Sequence, residues 1–197
     1  MLTIQSSTQD FLDYINTELT VATSSAAHPF HQFSFGTVNG LELEQRMVVL
    51  RRWVLKRQTI MFHTDFRSPK VDQIKNSSKT SVLFYSKDHK LQLRFRCQSH
   101  IHYQNRLTQF LFSKTSPSQR ACYEYPQSPT DNLEYASKEA EMDANDDLSL
   151  VDPYKNFAVC VCNFDELDLL FLNYKSHIRI KYLWDKFGVM SAKFVVA

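Results

Sequence analysis

Glycine is scarce in this chain, and its scarcity excludes a large class of nucleotide-binding folds. The only glycines are Gly36, Gly40 and Gly188. Dinucleotide-binding and P-loop domains cradle phosphate on the backbone of closely spaced glycines, in G-x-G-x-x-G and G-x-x-x-x-G-K-[ST] patterns. Neither pattern can be written with these three positions, so any phosphorylated ligand must be held mainly by side chains.

Apolar and polar residues alternate along much of the chain after residue 30, as is typical of β-strands. Phe33 and Phe35 begin the pattern, Asn39-Gly40 is a strong hairpin signal, and the next strand resumes at Leu41. Further strands are predicted at residues 59–63, 80–85, 91–103, 156–163, 167–172, 177–183 and 189–196. Many short strands with few helices predict a mainly β fold with small helices, an antiparallel barrel with helical caps.

Helices are predicted where capping residues precede apolar residues at helical spacing. Residues 6–9 can cap a helix that continues to Leu19. Ser68-Pro69 opens a short helix to about residue 75, because serine caps a helix and proline suits its first turn. A further helix is predicted at residues 106–114, followed by a capped turn at residues 116–118.

The composition predicts one globular domain over residues 1–197. Hydrophobic residues make up 43% of the chain, and 23 Lys and Arg against 21 Asp and Glu leave a net charge of +2. This charge gives no electrostatic reason to expect a nucleic acid or an anionic membrane as partner. Residues 125–152 are acidic and poor in aliphatic side chains, so they are interpreted as a surface connection, partly helical at residues 136–142.

Cysteine usage and the N-terminal residues predict a cytoplasmic protein. Cys160 and Cys162 alternate on an apolar strand, which predicts buried thiols. Residues 1–10 lack the basic and apolar regions of a signal peptide, and no apolar run reaches the about 18 residues of a membrane span.

Basic side chains at the end of one strand and the start of a helix can converge on one point. Residues 46–51 form an apolar strand between Arg46 and Arg51, and residues 62–70 end the next strand and begin a helix. A helix N-terminus offers free N–H groups and a partial positive charge, so Ser68 and Lys70 with Arg46 form a candidate phosphate site. The alternative is that these charges only solvate the rim of the barrel.

Three motifs stand at compatible spacing along this region: Arg46-Met47-Val48-Val49-Leu50, Thr64-Asp65-Phe66-Arg67-Ser68-Pro69-Lys70 and Leu91-Gln92-Leu93-Arg94. Together they resemble the pyridoxamine 5′-phosphate oxidase-like flavoproteins, in the branch with a Thr-Asp-x-Arg-Ser-x-Lys motif. The resemblance implies a split β-barrel that forms a homodimer and binds FMN in clefts between the subunits. It also implies an FMN-dependent oxidoreductase, whose substrate the sequence does not identify.

The same resemblance implies roles for single residues. Arg46 and Lys70 would pair with the FMN phosphate, and Met47, Val48 and Val49 would lie along the isoalloxazine ring. The other residues implied to contact the cofactor are His63, Thr64, Arg67, Ser68, Gln92, Gln127, Ser128 and, from the partner subunit, Arg179.

Near the C-terminus, Lys175-Ser176-His177-Ile178-Arg179 resembles the Arg-Leu-His-x-Arg signature of the oxidases. His177 and Arg179 match and share one face of a strand. His177 is the one candidate catalytic residue, because its ordinary pKa lies near neutrality. Without the resemblance, a structural histidine and a surface arginine are the commoner interpretation.

The implied substrate site departs from the oxidases. Arg51, Phe110, Lys114 and Ser118 stand where the oxidases hold substrate phosphate with a lysine, a tyrosine, an arginine and a serine, and Lys175 replaces a substrate-contacting arginine. The candidate substrate residues are Arg51, Lys114, Ser118, Lys175 and His177. The cofactor site is therefore better supported than a pyridoxamine phosphate site.

Two other functions compete with an oxidoreductase. The first is a non-catalytic protein that binds flavin or haem on the same barrel. The second is a nucleic-acid barrel using Arg94 and Arg96, which near-neutral charge disfavours. His28-x-x-His31 and His100-x-His102 each offer two metal ligands without a third in sequence, so no metal site is predicted.

Overall fold

The computed structural model describes residues 2–131, 151–174 and 176–197 of the chain. The strands there are β1 (Gln32–Asn39), β2 (Glu42–Val49), β3 (Arg52–Val54), β4 (Thr59–Asp65), β5 (Lys79–Ser86), β6 (Leu91–Tyr103), β7 (Phe157–Phe171), β8 (Ile178–Trp184) and β9 (Met190–Val195). The helices are α1 (Thr8–Ala22), α2 (Pro69–Asn76), α3 (Arg106–Ser113) and α4 (Pro117–Ala121), and short 3₁₀ turns occur at Pro29–His31, Leu55–Arg57 and Pro153–Lys155. The fold is mainly β, as predicted.

All strand pairs are antiparallel and belong to one sheet in the order β2-β1-β5-β6-β7-β4-β3, with β8 beside β7 and β9 beside β8. β6 runs along β7 for almost its whole length. The other edge of β7 pairs with β4 over residues 157–163 and with β8 over residues 166–171. Because β7 changes partner midway, the sheet divides into two lobes, which is the split-barrel architecture.

The main core lies between the sheet and α1. Phe33, Phe35, Phe62, Phe84 and Phe95 are at most 2% exposed and pack ring against ring. α1 covers them with Phe11, Leu12, Ile15 and Leu19, the residues that its helical spacing places on one face. A second, smaller cluster contains Phe157, Val159 and Val161 of β7 with Leu107 and Leu111 of α3.

Several local predictions are confirmed. Ser7 caps α1 in a reciprocal capping box with Asp10. Gly40 has φ +62°, a conformation that costs glycine little, at the β1–β2 turn. Cys97, Cys160 and Cys162 are free and buried. No helix of the described residues has the length and apolar character needed to cross a membrane.

Other local predictions are wrong. The two strands predicted at residues 156–163 and 167–172 are one strand, β7, because the polar residues between them stand where β7 passes from β4 to β8 and need no core contact. The register with β6 shifts there, between Arg96 and Cys97. β3 was not predicted, because its three residues are too few to show alternation. The helix predicted at residues 136–142, and most of the acidic connection, lie outside the described residues.

Candidate functional site

A cleft of about 340 Å³ lies where the two ends of the sheet face each other without pairing. On one side is β2, an edge strand that pairs only with β1 in the described structure. On the other side is β4, whose pairing with β3 ends at Met61. Residues 46–49 of β2 and 63–65 of β4 line the cleft, so backbone groups on both strand edges are available to a ligand.

Two cations meet at one end of this cleft. Arg46 comes from β2, and Lys70 comes from the first turn of α2. Burial lowers the pKa of Lys70, and the nearby charge of Arg46 lowers it further. The pKa of Arg46 is also lowered by burial, against the opposing effect of Glu44. Two partly desolvated positive charges side by side favour an anion between them.

Hydroxyl groups surround the ammonium group of Lys70. Its Nζ donates to Oγ of Ser68 and, at 3.2 Å, to Oγ1 of Thr64. Ser68 occupies the N-cap position of α2, as predicted, but its side chain does not cap the helix. The hydroxyl accepts from Lys70 because a charged donor forms the stronger hydrogen bond.

A polar network fixes the guanidinium group of Arg46. Its Nη2 donates to Oε2 of Glu44 at 2.9 Å and to Oε1 of Gln73 at 3.1 Å, and its Nη1 donates to Oγ1 of Thr37. Gln73 in turn donates to Glu44 at 2.8 Å. The network joins β1, β2 and α2, so it holds Arg46 at a fixed distance from Lys70.

His63 projects an unused polar atom beside the cleft. Within the described residues, its Nε2 is the one buried side-chain nitrogen or oxygen without a hydrogen-bond partner in the protein. The ring packs edge-on against Phe157, with centroids 4.8 Å apart. Burial, aided by the charge of Arg51, lowers the pKa of His63 to about 4, so the imidazole is neutral at pH 7.

The segment after α4 forms one wall of the cleft through Cys122, Tyr123 and Pro129. Arg67 holds this segment in place: it pairs with Asp65 at 2.7 Å and donates to the backbone carbonyls of Tyr125 and Pro126. Burial raises the pKa of the Tyr123 hydroxyl well above its ordinary value. Arg67 therefore supports the wall but does not itself line the cleft.

The glutamine-serine pair lies next to the cleft. Ser128 borders a neighbouring depression with Arg67, Pro69 and Gln73. Its backbone N–H donates to Asp131 at 2.7 Å. In the described part of the chain, neither Gln127 nor Ser128 lines the Arg46–Lys70 cleft.

Gln92 and Arg179 lie outside this cleft. They share a row in which Gln92 on β6 faces Leu170 on β7, and Leu170 faces Arg179 on β8. Through β5 and β1 the same part of β6 leads to β2, because Arg94 faces Leu83, Leu83 faces Ser34 and Ser34 faces Met47. About three strand spacings therefore separate Gln92 from β2, and neither Gln92 nor Arg179 is among the described residues that line the cleft.

Arg179 is paired in this structure. Its Nε and Nη2 donate to the two oxygens of Asp168 at 2.9 and 2.7 Å, and Arg94 donates to the same carboxylate from the other side. Burial acts to raise the pKa of Asp168, but the hydrogen bonds from Arg179 and Arg94 outweigh it and the pKa is lowered.

Of the candidate substrate residues, one lies in the cleft. Arg51 lines it. Lys114 follows α3 and sits over the ring of Phe110, and Ser118 bonds to Ser116 at the start of α4. His177 is exposed just before β8, and Lys175 lies outside the described residues.

Sequence reasoning missed the residues that support and enclose the cations. Glu44 stands two residues before Arg46 on one strand face, and Gln73 follows Lys70 by one helical turn. Both spacings are visible in the sequence and could have suggested contacts. Tyr123 and Pro129 carry no such signal, because their place depends on how the chain folds back over β4.

Comparisons with known proteins agree with this architecture. Residues 12–103 match the family model described as pyridoxamine 5′-phosphate oxidase, FMN-binding domain. No curated protein matches the chain. The match spans α1 to β6 and so contains Arg46, Lys70 and Gln92, but it ends before Tyr123 and Arg179.

Solved structures share the fold along nearly the whole chain. A pyridoxamine 5′-phosphate oxidase-related, FMN binding protein from Nostoc punctiforme has a TM-score of 0.72 and 17% identity, covering 98% of this chain and 100% of that one. PhzG from Burkholderia lata, solved with tetrahydrophenazine-1-carboxylic acid, has a TM-score of 0.71 and 14% identity, covering 100% of this chain and 98% of that one. Residues 12–103 therefore match the FMN-binding domain of the pyridoxamine 5′-phosphate oxidase family, and the chain as a whole shares the split-barrel fold of these solved structures.

Proposed function

We propose that this protein binds FMN in the Arg46–Lys70 cleft and acts as an FMN-dependent oxidoreductase. The observation that carries the proposal is the convergence of Arg46 and Lys70 at one end of a cleft that two strand edges border. The family match supports FMN as the ligand.

The cationic end suits the phosphate group of FMN. A phosphate dianion would neutralise Arg46 and Lys70 together, and it would relieve the repulsion from Arg46 that adds to burial in lowering the pKa of Lys70. The hydroxyls of Thr64 and Ser68 already stand within reach of Lys70 and can donate to phosphate oxygens. Side chains would therefore bind the phosphate here, whereas glycine-rich loops bind it in other nucleotide sites.

The remainder of the cleft suits a flat, polar-edged ring system. Met47 and Val49 offer apolar surface, and the edges of β2 and β4 offer backbone donors and acceptors. The imidazole of His63 is neutral at pH 7. Its Nε2 has no partner in the protein and can form one hydrogen bond to a ligand. Bound FMN would supply two-electron redox chemistry, while these residues orient the ring and exclude water from one side.

We further propose a homodimer, in which Gln92 and Arg179 of one subunit complete the cleft of the other. The lining of the cleft supports this arrangement, because within the described residues of one chain neither Gln92 nor Arg179 borders it. Arg179 is 30% exposed and oriented by Asp168, so its guanidinium group is prepared for a second interaction.

A non-catalytic FMN-binding protein is the second candidate. The observation that favours it is that Arg51 is the one candidate substrate residue in the cleft of the described chain. Turnover of reduced nicotinamide or pyridoxamine phosphate by the FMN-bound protein would contradict this second candidate.

Two lysines of α2 provide a matched test of the cleft. Lys70→Ala removes a cation that faces the proposed phosphate, whereas Lys75→Ala removes one that is half exposed and paired with Asp72. A hydrogen bond to a charged group contributes about 1.5–3 kcal/mol, so FMN affinity measured by flavin fluorescence should fall about 10- to 150-fold in Lys70→Ala. Lys75→Ala should change it by less than about threefold. Equal affinities in the two variants would remove the phosphate site.

A further inference from the structure

We propose that Glu18, His28 and His89 form a Zn²⁺ site that is separate from the cofactor cleft. Glu18 belongs to α1, His28 precedes the 3₁₀ turn at Pro29–His31, and His89 lies in the turn between β5 and β6. One ligand atom from each lies within 4.8 Å of the other two. None of the three lines the Arg46–Lys70 cleft.

The distances fit a tetrahedral ion. Zinc bonds to nitrogen and oxygen of about 2.0–2.1 Å place neighbouring ligand atoms about 3.3 Å apart. Oε2 of Glu18 lies 3.0 Å from Nε2 of His28 and 3.6 Å from Nδ1 of His89, so the two separations bracket this value. The third separation, between the ring nitrogens of His28 and His89, is at most 4.8 Å, so zinc would draw these two nitrogens together by at most about 1.5 Å.

The site is enclosed on most sides. The side chains of His28, His89 and Glu18 are 11%, 17% and 20% exposed. The imidazole rings stack with centroids 5.4 Å apart, and Phe30 stacks on His89 at 5.2 Å. Packing thus holds both rings before any ion arrives, which lowers the entropic cost of binding.

Zinc binding would move one proton between the two nitrogens of His28. Nδ1 of His28 accepts from the backbone N–H of Phe30 at 3.1 Å, so the neutral ring carries its proton on Nε2 and donates it to Glu18. Coordination through Nε2 moves that proton to Nδ1, and the Phe30 N–H loses its acceptor. Three hydrogen bonds, from Phe30 to His28, from His28 to Glu18 and between Tyr14 and His89, are exchanged for three metal–ligand bonds.

The fourth position belongs to water. The hydroxyl of Tyr14 lies 2.7 Å from Nδ1 of His89, so it is next to the place where the ion would bind. When Nδ1 binds zinc, this hydroxyl is free to hydrogen-bond a metal-bound water. Two imidazoles and one carboxylate favour Zn²⁺ over Mg²⁺ or Ca²⁺, which prefer all-oxygen sites.

An ion at this point would tie three segments together. α1 would be linked to the chain entering β1 and to the β5–β6 turn, across the surface where Phe11 and Ile15 complete the core. Zinc would therefore raise the thermal stability of the protein, because it binds the folded state and these segments separate on unfolding.

The test is a calorimetric titration of Zn²⁺ into chelator-treated protein. Wild type should bind one equivalent at this site, and its melting temperature should rise with Zn²⁺ concentration. His89→Ala and Glu18→Gln should each weaken binding more than about 100-fold, since even the loss of an outer-shell group costs 10- to 100-fold. His100→Ala, which removes an exposed histidine of β6, should bind as wild type does.

Melting curves in chelator provide the folding control, because both site variants should then resemble wild type in cooperativity. Glu18→Gln preserves the size of the side chain and keeps the test valid if His89→Ala unfolds. Absence of saturable binding in wild type, or unchanged affinity in both site variants, would overturn the proposal.

Discussion

The buried imidazole of His63 makes the stability of this protein depend on pH in a defined range. Its pKa in the folded state is lowered to about 4, whereas an unfolded chain has the ordinary value of 6.5. Between these values the unfolded state binds the proton more tightly. The free energy of unfolding is therefore fully retained above about pH 6.5 and falls as the pH drops toward 4.

The size of the effect follows from the two pKa values. Between pH 7 and pH 5 the difference in proton binding should lower the free energy of unfolding by about 2 kcal/mol through His63. That is a substantial part of the about 5–15 kcal/mol of a typical domain. Below pH 4 both states are protonated, and this residue adds no further loss.

Urea unfolding of cofactor-free protein at pH 7 and pH 5 measures the effect. His63→Gln retains a polar side chain but cannot titrate, so its pH dependence should be smaller than that of wild type by about 2 kcal/mol. His100→Gln removes an exposed histidine and should reproduce the wild-type dependence. If wild type and His63→Gln lose equal stability between the two pH values, the imidazole is not buried and neutral as described.

Two further substitutions test the fold, and one measurement tests the assembly. Ser7→Ala removes the cap of α1 and should cost about 1 kcal/mol in urea unfolding, with no change if the capping box does not form. Asp168→Asn should lower the free energy of unfolding by about 1.5–3 kcal/mol at pH 7. Because the pKa of Asp168 is lowered, the stabilisation by its ion pairs is present above pH 3.8 and disappears as the pH falls through the folded-state pKa. A loss of stability that does not depend on pH would refute the ion pairs. Sedimentation should give a dimer, and a monomer that binds one FMN would contradict the role proposed for Arg179.

The elements that the sequence predicts well are those that short-range chemistry determines. The Ser7 cap, the turn at Gly40 and the start of α2 at Pro69 each depend on residues within one or two turns. β7 was divided into two predicted strands because a polar interval normally ends a strand. Here the interval marks a change of partner, which depends on β4 and β8 together.

In the candidate site, too, the sequence predicts single residues better than the contacts between them. Arg46 and Lys70 could be named from motifs, but the network that fixes Arg46 joins Thr37, Glu44 and Gln73 across three elements. Spacing paired His28 with His31, whereas the structure turns His31 toward the carbonyl of Ala22. Such contacts follow from sheet order and register, which local patterns do not encode.

If Arg46 and Lys70 hold the phosphate of FMN, the protein must distinguish FMN from riboflavin. The two ligands share the isoalloxazine ring and the ribityl chain, and they differ in the phosphate group. Titration of cofactor-free protein should give an affinity for FMN at least about 100-fold higher than for riboflavin, because two charge-assisted contacts are lost with the phosphate. Equal affinities for the two ligands, or no binding of FMN, would mean that Arg46 and Lys70 do not form a phosphate site.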